Sequence, residues 1–116
     1  MHRVLVCGGR NYCDREAIAT ALTAFHRQTM PIGILIHGNA QGADRLAGQW
    51  AQGQGIHTAA VSALWEVYSR AAGHRRNEAM RWLFPDYCIA FPGGNGTANM
   101  TRQCIDAGIP VWEPYA

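Results

Sequence analysis

Apolar residues along this chain gather into short runs that alternate with helix-period stretches. Val4-Leu5-Val6-Cys7 follows Arg3 and stops at Gly8-Gly9, the pattern of a buried parallel strand entering a tight turn. Asp14 then stands where a cap is needed, ahead of Ile18, Ala21, Leu22 and Phe25 at i, i+3, i+4 and i+7. This spacing predicts a helix ending before Pro31. Ile34 to His37 repeats the apolar run and halts at Gly38, and Leu46, Ala47, Trp50 and Ala51 return to helical spacing until Gly53-Gln54-Gly55. The strand-then-helix unit has occurred twice.

Thr58 to Val61 reads as a weaker third strand, and Ser62 to Gly73 has no clean period. Asn77 to Phe84 predicts a third helix with Met80, Leu83 and Phe84 on one face, stopped by Pro85. Tyr87 to Phe91 is a clear strand. A glycine loop follows, then a helix carrying Met100, Cys104 and Ala107 that closes at Gly108, and Ile109 to Trp112 finishes the sheet. Strands alternating with helices predict an α/β three-layer sandwich around a central, mostly parallel sheet of about five strands. With 116 residues and no linker or repeat, the chain is expected to form one domain spanning 1–116.

In parallel sheets of this kind ligands bind beyond the carboxyl ends of the strands. Seven of the thirteen glycines (Gly8, Gly9, Gly38, Gly42, Gly93, Gly94 and Gly96) fall in the three loops leaving strands there. Glycine permits positive φ and close approach of backbone N–H groups, and each following helix adds partial positive charge, an arrangement suited to phosphate. Short turns need glycine in any case, so each loop alone is ambiguous. Pro92-Gly93-Gly94-Asn95-Gly96-Thr97 is the most specific stretch, because several backbone donors and a hydroxyl converge where a helix begins. Gly8-Gly9-Arg10 does not match G-x-G-x-x-G, so simple dinucleotide binding is not supported.

Side chains near these loops supply candidate chemistry. Arg10 and Arg76, with Arg75 a weaker candidate, can grip a phosphate by paired hydrogen bonds or be solvated surface cations. Asp44 can cap the second helix, hold a ribose hydroxyl or position Arg10. Asn39 lies in the second loop, and Asn77 and Asn95 could read a base edge or satisfy a turn. Trp65 and Tyr68, in the aperiodic segment, could stack on a base, although large aromatics are more often packing anchors.

Composition narrows the classes. All ten basic residues are arginine, which removes lysine Schiff-base chemistry and the Walker phosphate loop. A net charge of +2 argues against a nucleic-acid groove, which usually shows a basic stripe. Four cysteines without a C-x-x-C pair and five scattered histidines predict free thiols and no bound metal. The chain opens on a strand rather than an export signal, and no apolar run approaches the ~18 residues that span a bilayer, so a cytoplasmic protein without membrane contact is expected.

Four segments in order carry a family resemblance: Val6-Cys7-Gly8-Gly9-Arg10, His37 to Asp44, Gly73 to Asn77, and Phe91 to Thr97. Together they resemble the YspA/YpsA-related branch of the SLOG superfamily, whose members occur in bacterial and phage genomes. The resemblance implies a Rossmann-like fold, a nucleotide or nucleotide-derived phosphate ligand, and a homodimer or larger homo-oligomer, with Trp82 or Trp112 as contact candidates. Related lonely-guy phosphoribohydrolases carry P-G-G-x-G-T-x-x-E, whose glutamate helps cleave an N-glycosidic bond. Here that position is Met100, and the residue before it, often acidic in the branch resembled, is Asn99. An amide cannot act as a general base near neutral pH. Three readings follow: a binding module that senses, carries or sequesters a nucleotide; a hydrolase of an N-glycosidic or phosphate bond using Asp44 or Glu78; and, least favoured, a nucleic-acid binder, since a DNA-processing protein shares the superfamily fold. No cofactor is required by the residues, although a phosphate ligand can bring its own Mg²⁺.

Overall fold

The computed structural model describes residues 2–116. Strands β1 (His2–Cys7), β2 (Ile32–His37), β3 (His57–Ala60), β4 (Tyr87–Ala90) and β5 (Val111–Trp112) form one sheet in the order β3-β2-β1-β4-β5. Every pairing in it is parallel. Helices α1 (Arg15–Gln28) and α2 (Ala43–Gly53) cover one face, where Ile18, Leu22, Phe25, Ala47 and Ala51 bury against Val4, Val6, Leu35 and Ile89. On the opposite face α4 (Ala72–Arg81) and α5 (Asn95–Asp106) bury Met80, Met100 and Cys104 against Leu5, Cys7, Ile36 and Cys88. This is the expected α/β three-layer sandwich.

The sequence pattern locates most elements because the central strands are buried on both faces and the helices along one stripe. Asp14 caps α1 by accepting a hydrogen bond from the Ala17 N–H at 2.9 Å. The helix predicted at Asn77 to Phe84 is displaced, however: α4 begins at Ala72 and ends at Arg81. Leu83 and Phe84 lie exposed beyond it, and Phe84 has φ +56°, a left-handed conformation that ends helical geometry. Ala107 likewise caps α5 and is exposed rather than buried. The aperiodic segment holds a single helical turn, α3 (Trp65–Tyr68), and a 3₁₀ turn at Ser69–Ala71. Neither buries a residue, so no period could form.

Trp112 stacks on Phe25 with ring centroids 6.1 Å apart and belongs to the core, whereas Trp82 is exposed. The four cysteines are free thiols. Among the described residues no helix is long and apolar enough to cross a membrane. The strand order changes direction between β1 and β4, so the connections leaving these neighbours diverge and open a crevice at their carboxyl ends.

Candidate functional site

That crevice is a cleft of about 400 Å³ lined by Gly8, Gly9 and Arg10 after β1, Ala40 and Asp44 after β2, Gly94 to Thr97 after β4, and Trp65, Arg70, Gly73, His74, Arg76 and Asn77 from the α3–α4 region. Its floor is Cys7 and Met80. The sequence-predicted loops therefore converge, with a fourth wall that periodicity did not reveal.

The glycines serve two different ends. A Cβ on Gly8 would lie 2.6 Å from Ala43 Cβ and 2.9 Å from Phe91 Cβ, so this position is small because two loops close over it. Gly9 donates its N–H to Pro92 O at 2.9 Å and accepts from the Ala43 N–H at 3.1 Å. Its N–H is thus committed to joining loops, while the residue itself borders the cleft. Gly42 has φ +80° and a Cβ there would strike the carbonyl oxygens of Gly9 and Arg10. Gly94 and Gly96 differ: a Cβ on either would meet nothing within 4 Å. Packing does not require glycine at these two positions, and both border the cleft.

Gly94 is the N-cap of α5 and supplies no side-chain cap, so the N–H groups opening this helix lack the usual partner. Asn95, Gly96 and Thr97 bring this end of the helix to the cleft wall. Pro92 and Gly93 do not line the cleft; they border a neighbouring depression with Thr101, Glu113 and Tyr115. Gly93 is held close to Thr97, which a Cβ would contact.

Asp44 is 6% exposed and lies in the first turn of α2, whose N-cap is Gly42. It does not cap that helix. Its Oδ2 instead accepts from the Ala40 N–H at 3.2 Å and so holds the loop after β2. Burial lifts its carboxyl from the ordinary 3.8 to about 6, opposed by the Ala40 N–H, the Arg76 charge, the Gly38 N–H and the Arg10 charge. A carboxyl so poised can give or take a proton near neutral pH.

Arg76 donates from Nη1 to Gly38 O at 2.7 Å and from Nε to Asn77 Oδ1 at 3.1 Å. It closes the cleft between β2 and α4. Asn77, 4% exposed, is a helical junction rather than a turn residue: Nδ2 donates to Gly96 O and to Asn99 Oδ1, each at 3.1 Å. Asn99 Oδ1 also accepts from Gln103 Nε2 at 2.9 Å. Asn99, within α5, is therefore committed to fixing α5 against α4, and the neighbouring Met100 is fully buried.

Gly38 and Asn39 line a second space of about 430 Å³ that adjoins the cleft through Arg10, Ala40, Trp65 and Arg76. Asn39 takes φ +54° and donates from Nδ2 to Ser62 Oγ at 3.1 Å, tying this loop to the one after β3. Glu78 is not in the cleft. It lines a separate groove with Tyr68, Arg75 and Trp82, and its carboxylate is 3.8 Å from Arg75 Nη1. Directly after Asn77 in α4, it is turned about 100° further around the helix and lies outside the cleft lining. Arg70 and His74 enter the cleft unanticipated, because no period marked their segment. Among the described residues no three of His, Cys, Asp and Glu come together as a metal site.

Over residues 2–68 the chain matches the model of the YspA, cpYpsA-related SLOG family, a stretch that includes the loops after β1 and β2 and all of α3. The Gene 61 protein of Mycobacterium phage D29 is 38% identical over 120 residues, covering 96% of this chain and 94% of the phage protein. Among solved structures, DNA processing protein A (DprA) from Streptococcus pneumoniae aligns with a TM-score of 0.53 and 16% identity. That alignment covers 97% of this chain and 58% of DprA, so the chain spans little more than half the length of this structural neighbour. At such identity the likeness is one of fold.

Proposed function

This chain belongs to the YspA, cpYpsA-related SLOG family, and on that premise we propose that it binds a nucleotide or nucleotide-derived phosphate ligand in the cleft between β1 and β4. The observation that carries the proposal is the pair Gly94 and Gly96, glycines with no packing reason to be small, at the uncapped start of a twelve-residue helix. Both leave the helix opening accessible to an anion. Arg10, Arg70 and Arg76 surround the same space, against one buried acid, Asp44. This balance favours an anionic ligand. Any Mg²⁺ enters on the ligand's phosphates.

The test is calorimetric titration of a nucleotide panel, including cyclic and ADP-ribose-type compounds, into the parent protein and Gly94→Asp. Binding by the parent that the aspartate abolishes is the expected result. No binding to the parent at millimolar concentrations would overturn the proposal.

A second reading makes the protein a nucleotide hydrolase, favoured by the position and lifted pKa of Asp44 alone. Turnover of a bound nucleotide that is lost in Asp44→Asn would establish it; unchanged turnover would remove Asp44 from the chemistry. Self-association through the exposed Trp82 belongs to the same proposal and is read by sedimentation of the parent against Trp82→Glu.

A further inference from the structure

Trp65 differs from the tryptophans that build the fold. Trp50 and Trp112 pack against the core, whereas Trp65 is 49% exposed and its ring forms one wall of the cleft. It anchors neither hydrophobic cluster. A half-bare indole on a one-turn helix stabilises the fold little, so packing does not account for it.

The face of this ring is covered by a cation. The Arg10 guanidinium lies over it, 5.3 Å from the ring centroid. Arg10 is exposed, and among the described residues its guanidinium has no hydrogen-bond or ion-pair partner. It sits on the loop after β1 and lines both the cleft, with the start of α5, and the adjoining space. Apart from the ring, only the unbonded attraction of the Asp44 carboxyl acts on it, so no hydrogen bond must break for its side chain to lift.

We infer that Trp65 and Arg10 are the two jaws of a clamp for the aromatic base of a nucleotide, which enters between indole and guanidinium. The inference rests on the cleft being the phosphate site proposed above and adds that the ligand is a nucleotide rather than a sugar phosphate. A base has a π face for the indole on one side and for the guanidinium on the other, and stacking of this kind accepts any base. A sugar phosphate offers neither face. The clamp residues line the same cleft as Asn95 to Thr97, so a base held by the clamp leaves the phosphate to the helix start.

The experiment compares AMP with ribose 5-phosphate by calorimetry in the parent, Trp65→Ala, Trp65→Phe and Gly94→Asp, with thermal melts to check folding. The parent is expected to prefer AMP, and Trp65→Ala to weaken AMP binding roughly 5- to 100-fold, the range for losing one aromatic stacking partner. Ribose 5-phosphate should bind the parent and Trp65→Ala alike, and Trp65→Phe should keep most of the AMP preference. Equal affinity of the parent for both probes, or equal loss of both in Trp65→Ala, would overturn the clamp and leave the phosphate site standing. Failure of both probes to bind the parent would overturn the two together.

Discussion

Replacing Asp44 by asparagine isolates what the buried carboxyl costs the fold. Its folded-state pKa of about 6 lies above the ordinary 3.8, the reverse of a carboxylate held by an ion pair. Below 3.8 both folded and unfolded chains carry the proton and the group contributes nothing. Between 3.8 and about 6 the unfolded chain has released its proton while the folded one keeps it, so stability falls as pH rises through this window. At about 1.4 kcal/mol per pH unit the loss reaches about 3 kcal/mol and is complete above pH 6. Asparagine keeps an acceptor for the Ala40 N–H and cannot ionise. Relative to the parent, Asp44→Asn should therefore gain about 3 kcal/mol between pH 3 and pH 7. Urea unfolding at several pH values measures this directly, provided the slope with denaturant stays constant. A difference that is flat with pH, or that moves against the variant as pH rises, would show that Arg76 and Arg10 hold the carboxylate charged and that burial does not govern it.

Gly94→Asp should abolish nucleotide binding while shifting the melting temperature little, since its side chain meets open space; calorimetry and a thermal melt read the two effects. Gly42→Ala should do the opposite, destabilising by about 1–3 kcal/mol through its positive φ and the carbonyl contacts, as seen in urea unfolding. Asn77→Ala removes the two hydrogen bonds that tie α4 to Gly96 O and Asn99 Oδ1 and should cost about 1–3 kcal/mol in the same measurement, with Gln103 Nε2 still serving Asn99. Glu78→Gln should leave ligand affinity unchanged, because its side chain lies in a different groove.

The central strands were legible as continuous apolar runs, being buried on both faces, and three helices were legible from one buried side that sets a period of 3.6. The start of α4 was not, since Ala72 is its sole buried residue before Asn77 and the intervening Gly-His-Arg-Arg reads as loop. The glycine loops announced where a ligand could sit but not which glycines serve it. Gly8, Gly9 and Gly42 are small because loops from β1, β2 and β4 touch, a tertiary fact with no local signature. Asp44 was recognisable as a polar residue at a helix start, yet its burial is likewise a tertiary fact without a local signature. Trp65 was visible as an aromatic that could stack on a base, but its place in the wall, and that of Arg70, was not, because a segment that buries nothing carries no pattern.

An NMR titration of ¹⁵N-labelled protein with ADP tests the central claim most directly, because every wall of the cleft has its own amide signal. The account predicts that shifts concentrate at the amides of Gly94 to Thr97, at Arg10 and at the Trp65 indole N–H, with Glu78 and Trp82 unmoved. Shifts centred on the groove around Glu78 and Trp82, or none at millimolar ADP, would contradict it.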